Sequence, residues 1–142
     1  MKELLELSAL ELGAAIRAGD VSIAEATQTA LDAMAEREPS LNCFITAASE
    51  QAMARALGLQ AGVKEAASPL YGVPMAIKDN ICTKGVKTCC ASKILGDFTP
   101  PYDAAVTERL ADTGAVSLGK LNMDEFAMGS TTETSFYGPT RN

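Results

Sequence analysis

Two short apolar runs with a helical pattern between them restrict this chain more than any other feature. "VPMAI" (73–77) lies between Gly72 and the polar "KDN", and "AVSLGK" (115–120) follows Gly114 and a helical stretch from Asp103 to Asp112. Strand, helix and strand at that spacing predict a parallel crossover unit, because a tight turn cannot join parallel strands and the helix between them packs back on the sheet. The same interval holds "CTKGVKTCCASKILGDFTPPYD" (82–103), rich in Gly, Thr and Pro and without periodicity. A loop of that length in a compact domain is usually functional or wrapped around a neighbour. The first run ends on Lys78, at the carboxyl edge of the predicted strand, where open α/β folds place their ligand crevices.

Upstream the pattern is helical. Ser8 stands three residues before Glu11 and Ser22 three before Glu25, two capping-box signatures, and Gly19 closes the first helix. From Ile23 to about Arg37 a second helix carries Ile23, Ala26, Ala30, Leu31 and Met34 near one face, with Pro39 as its stop. "LNCFIT" (41–46) reads as extended, and "SEQAMARALGLQAG" (49–62) as a third helix ended by Gly58 or Gly62. The tail, 123–142, begins as a short helix and then turns polar without a closing element. Met34, Met53, Met75, Met123 and Met128 fall on apolar faces as core filler.

Composition narrows the function classes. With 47% hydrophobic and 21% charged residues over 142 positions, one globular domain is expected. A net charge of -6 without a block of Lys and Arg argues against a nucleic-acid footprint on this segment. The N-terminus alternates charge with leucine, unlike a signal peptide or a membrane span, which makes the cytoplasm the default compartment. Cys43, Cys82, Cys89 and Cys90 form no C-x-x-C pair, and adjacent Cys89 and Cys90 do not readily converge on one metal. Small buried or half-buried thiols are expected, and no metal site. There is no histidine, so a Ser-His-Asp or Cys-His set within this chain is excluded.

Local chemistry leaves two readings of Lys78. An amine buried at a strand end loses its charge more readily and can accept a proton near neutral pH, although Asp79 and Asn80 pull the other way. A lysine after an apolar pentad can equally be a snorkelling side chain. The segments around it add a resemblance. "GVPMAIKDN", "TCCASKIL" and "AVSLGKLNMDEFAMGSTTETSFYGPTRN", in that order behind two capped helices, resemble the amidase signature family, and within it the glutamine-hydrolysing subunits of tRNA-dependent amidotransferases.

The resemblance implies an α/β fold in which N-terminal helices precede the first strands and helices of a mixed sheet covered by helices, here incomplete. Residues 1–142 would be the N-terminal part of one amidase signature domain, mainly helical over 1–65, with the lysine motif in the strand, loop and helix segment 66–142. It implies a Ser-cisSer-Lys triad in which Lys78 is the lysine, with glutamine as substrate. Ammonia would pass to a B subunit that binds ATP and Mg and amidates the glutamate of a mischarged tRNA, and a C subunit would clamp the other two. This segment would bind no cofactor itself, and tRNA would be met through the complex.

The family's two serines belong to a Gly-Ser-rich segment that follows "YGPTRN", beyond Asn142, so these 142 residues alone are expected to be inactive. Ser130 and Ser135 do not replace them, because "GSTTETS" lacks the paired glycines that let backbone amides approach an oxyanion. By the same resemblance Met128, Gly129 and Ser130 lie against the acyl pocket; the alternative is a helix-ending turn at Gly129. Lys120 also follows an apolar run, but Asn122 as an N-cap with Glu125 three residues later makes it structural. Asp124 and Glu125, adjacent on a helix, do not converge as paired carboxylates. A general amidase of the same family, or a non-catalytic packing module, are the competing readings. A sheet cut at this point is expected to leave exposed edges and apolar faces, and the isolated fragment to be marginal, associated with itself or partly disordered at the tail.

Overall fold

The structure is a computed structural model that describes residues 4–61 and 68–142. After a single 3-10 turn (Leu4–Glu6) come α1 (Ala9–Ala18), α2 (Ile23–Leu41), β1 (Phe44–Ala47), α3 (Ser49–Gln60), β2 (Pro74–Lys78), α4 (Ala105–Asp112) and β3 (Val116–Leu121), then a 3-10 turn (Glu125–Ala127). The three strands form one mixed sheet in the order β1-β3-β2. The β2–β3 pair is parallel, as the crossover pattern predicts, and the β1–β3 pair is antiparallel.

Local signals place the helices. Ser8 forms a full capping box with Glu11, and α1 ends on Gly19 in the left-handed region. At Ser22 the structure has the half of the box in which the hydroxyl accepts the Glu25 N–H. Contrary to expectation, α2 runs through Pro39 to Leu41. Pro39 lies in the last turn, so its missing N–H removes a single bond. The helix stops at Asn42 instead, whose left-handed backbone (φ 55°) still donates to the Glu38 carbonyl. Gly58 does not end α3, which continues to Gln60. Gly62 and the expected boundary near residue 65 lie outside the described residues.

The core sits between the helices and one face of the sheet. Ile16, Ile23, Ala26, Leu31, Ala52 and Ala56 pack with Val73, Val116 and Leu118. Ile23 and Val116 are completely buried, each worth about 1.5–3 kcal/mol by transfer from water. Met34 and Met53 pack against this cluster and Met123 is buried, but Met128 is 80% exposed and is no core filler. It sits past a 3-10 turn in which Phe126 and Ala127 take positive φ, so no regular helix carries it inward.

Two irregular segments complete the fold. The 82–103 loop folds on itself: Gly85 donates to the Pro100 carbonyl, Thr88 to Phe98, and Ala104 to Cys82. The tail is tied down rather than loose. Arg141 donates to Leu41, the Thr140 hydroxyl to Asn42, and the Asn42 side-chain amide to the carbonyls of Tyr137, Gly138 and Pro139. Asn122 is not the expected helix cap. Its amide donates to Asn42 and Gly138 while its carbonyl oxygen accepts from Ser135, so two asparagines clasp the tail to the end of α2.

Candidate functional site at the carboxyl edge of the sheet

Lys78 closes β2 opposite Leu121 of β3, and the chain turns at once: Asp79 N–H donates to the Leu121 carbonyl and Ile81 N–H to that of Lys78. The strand's alternation sends neighbouring side chains to opposite sides. Lys78 is exposed and Asp79 fully buried. The described residues therefore leave the Lys78 side chain uncovered. Asn80 is exposed as well.

Behind Lys78 lies a polar cluster that sequence reasoning missed. One Asp79 oxygen accepts the backbone N–H groups of Cys89 (3.1 Å) and Ala91 (3.0 Å) and the Cys89 thiol (3.1 Å). Among the described residues the other has no hydrogen-bond partner, but it lies 3.8 Å from the ammonium of Lys120. Lys120, also fully buried, donates to the Ile81 carbonyl (2.6 Å) and the Thr88 hydroxyl (2.7 Å). Desolvation pulls its pKa below the ordinary lysine value, with the Asp79 charge opposing. Burial likewise pushes the Cys89 thiol up, which keeps it a neutral donor.

Lys120 reaches this cluster because β3 contains a bulge. Met75 pairs with Ser117 and Ile77 with Lys120, so one residue of β2 faces two of β3, Leu118 and Gly119. Strict alternation from Val116 and Leu118 would send Lys120 into the helix-covered core; the extra residue returns it to the side of Ser117 and Ile77. A glycine inside a strand pattern is the sequence signal for such a bulge.

The loop 88–92 joins the cluster to the tail. Cys90 N–H donates to the Asp79 carbonyl, Phe126 N–H to Cys90, and Phe136 N–H to Ala91. Met128, Gly129 and Ser130 begin two residues after Phe126, which is anchored to this strap, and all three are exposed. Ser135 is buried, its hydroxyl 2.6 Å from the Asn122 side-chain oxygen, and Tyr137 donates back to it. Ser130 and Ser135 both lie outside the helices and strands.

Asp124 organises the loop after Gly129. Its carboxylate accepts the N–H groups of Thr131 and Thr132 (both 2.9 Å) and the N–H and hydroxyl of Thr134. The Thr132 amide foremost, against burial and with help from Thr134 and Thr131, holds this carboxyl below the usual aspartate range. A folded-state pKa below the unfolded value means the stabilisation is complete above about pH 4 and is lost as pH falls through the folded value. Hydrogen exchange is expected to show the amides of Thr131, Thr132 and Thr134 losing protection below about pH 4, and Asp124→Asn is expected to weaken that pH dependence. Unchanged acid sensitivity in the variant would count against this role for Asp124.

A hollow of about 430 Å³ opens on the sheet face between β2, β3 and α4, lined by residues that include Met75, Ile77, Ser117, Thr107, Leu110 and Arg55. The described residues contain no group of three His, Cys, Asp or Glu side chains arranged for a metal, and no helix long and apolar enough to cross a membrane.

Comparison with known proteins gives the chain's family. The Amidase family model matches residues 25–142. The chain is 53% identical to the A subunit of glutamyl-tRNA(Gln) amidotransferase from Lachnoclostridium phytofermentans, over 99% of this chain and 29% of that protein. It is 54% identical to the same protein of Thermobifida fusca, over 100% of this chain and 29% of the relative. The crystal structure of the Thermotoga maritima counterpart superposes with a TM-score of 0.74 at 33% identity, covering 100% of this chain and 28% of the other. The chain thus spans less than a third of the length of these relatives. On the family model, the relatives and the shared fold together, this chain belongs to the amidase signature family.

Proposed function

We propose that these residues form the N-terminal part of a glutamine-hydrolysing amidotransferase subunit that supplies ammonia for converting Glu-tRNA(Gln) to Gln-tRNA(Gln), working in the cytoplasm. The observation that carries this reading is the position of Lys78. It is an exposed amine at the carboxyl edge of a parallel strand pair, on a turn fixed by backbone hydrogen bonds, in a chain about half identical to its amidotransferase relatives.

In this reading Lys78 is the base of a Ser-cisSer-Lys triad whose serines lie outside these 142 residues. The neutral amine draws a proton through the cis serine from the second serine, whose oxygen attacks the carboxamide carbon of glutamine; the same proton returns to the amide nitrogen, the C–N bond breaks, and ammonia departs as the acyl-enzyme forms. An amine can fill this role without histidine once it is desolvated. Because Lys78 is exposed here, that desolvation must come from chain or substrate lying over the sheet edge. Met128, Gly129 and Ser130, exposed beside the strap, would form part of the acyl pocket.

The partners follow from the same reading. A B subunit binding ATP and Mg would activate the tRNA-borne glutamate and receive the ammonia, with a C subunit bracing both. The net charge of -6 fits a segment that meets tRNA only through the complex.

The test is ammonia release from glutamine. The full-length protein together with its partners is expected to release ammonia, the 142-residue chain alone is not, and Lys78→Met in the full assembly should lower kcat by about 10²–10⁴-fold. Lys78→Arg is not expected to rescue it, since a guanidinium stays protonated. Wild-type turnover by Lys78→Met would overturn the assignment.

A further inference from the structure

We propose that Lys120 is a positioning residue for Lys78: paired with Asp79, it fixes the turn that carries the amine and cancels the carboxylate charge directly behind it. This inference rests on the reading of Lys78 as a base. Its geometric ground is the buried cluster, which no step of that chemistry uses.

Asp79 is the next residue after Lys78, so its buried carboxylate lies in the turn that Lys78 enters. An uncompensated carboxylate on the neighbouring residue favours the protonated amine, whereas a general base must give up its proton near the working pH. Burying Asp79 does not remove the problem, because the strap meets one of its oxygens only with the backbone N–H groups of Cys89 and Ala91 and the Cys89 thiol, none of them a cation. Among the described residues its remaining oxygen meets one cation, Lys120 at 3.8 Å. The pair is therefore close to neutral as seen from Lys78.

The other titratable groups around the pair are the thiols of Cys82, Cys89 and Cys90. Those of Cys89 and Cys90 are pushed up by burial and so carry no charge near neutral pH. Tyr137 bonds Cys89 and is likewise pushed up by burial, with Lys87 beyond its ring. Glu125 stands off, bonded to the Ser92 hydroxyl of the strap. Lys120 is thus the group placed to balance Asp79.

The same ammonium performs the mechanical part. Its bonds to the Ile81 carbonyl and the Thr88 hydroxyl tie the turn after Lys78 to the strap that covers it, while Asp79 holds the strap's Cys89 and Ala91 amides. Both ends of the turn are therefore anchored to a side chain from the central strand.

The experiment is the pH profile of kcat/KM for glutamine-dependent ammonia release by the full-length protein in its assembled complex. Lys120→Met and Lys120→Gln remove the cation, and the second keeps a donor for Ile81 and Thr88, so it serves if the methionine variant does not assemble. Each is expected to move the acid limb upward by about one pH unit, with KM for glutamine changed less than about twofold. Asp79→Asn combined with Lys120→Met removes both charges and is expected to return the limb to its wild-type position. A role confined to stability would lower the amount of active enzyme and leave the limb in place, and an unshifted limb in Lys120→Gln overturns the proposal. Lys78→Met, run alongside, separates the two readings: full activity there removes the base assignment itself, whereas an inactive Lys78→Met with unshifted Lys120 variants removes only the role of Lys120.

Discussion

Lys120→Met is expected to destabilise the fold by about 3–5 kcal/mol, the usual cost of removing one partner from a buried ion pair. The cause is what stays behind. Asp79 is fully buried, one of its oxygens has no hydrogen bond, and the Ile81 carbonyl and Thr88 hydroxyl lose their donor. Combining the change with Asp79→Asn should recover most of the loss, because an amide oxygen can still accept from Cys89 and Ala91 and no unpaired charge remains. Urea unfolding followed by circular dichroism measures both. If the double variant were as unstable as the single, packing of the lysine stem, not the ion pair, would be the dominant contribution.

Gly119→Ala is expected to have an effect of similar size through the backbone. Gly119 has φ +146°, and a Cβ there would stand 2.2 Å from the Thr46 carbonyl oxygen and 3.1 Å from the Ala47 Cα. Both neighbours are strand backbone and cannot step aside as a side-chain tip can. Strain of about 1–3 kcal/mol from the conformation adds to about 1–3 kcal/mol from overpacking. The damage should appear first where β1 meets β3, as lost hydrogen-exchange protection at Ala48, whose N–H donates to Leu118. Gly58→Ala, inside α3 with open space around it, is the control and should stabilise slightly. Equal unfolding midpoints for the two variants would contradict the close approach at Gly119.

Much of the scaffold was legible because its signals are local. Ser8 with Glu11 and Ser22 ahead of Ile23 begin helices through hydrogen bonds between residues three apart. The apolar run ending on Lys78 and the second run at 116–121 pair in parallel as their spacing requires. Pro39 misled because a proline's effect depends on how many turns follow it, and here fewer than one does. Asn122 misled for another reason. Its spacing to Glu125 has the form of a cap, but its partners are Asn42 and Gly138, residues the local pattern cannot weigh.

The candidate site divides along the same line. The sequence alone determined that these 142 residues hold no histidine, that a lysine ends an apolar run read as a strand, and that the ordered motifs around it resemble one family. Only the tertiary structure decided which of two lysines after apolar runs is exposed and which is buried. Alternation along β3 would have put Lys120 in the helix-covered core, and the bulge at Leu118 and Gly119 turned it to the opposite face, onto Asp79. The physical reason is that burial and charge pairing depend on strand register and on contacts between residues 32 to 41 positions apart, here Thr88, Ile81 and Asp79 with Lys120. A side-chain period of two is lost by a single extra residue, and no window along the sequence records which face that residue selects.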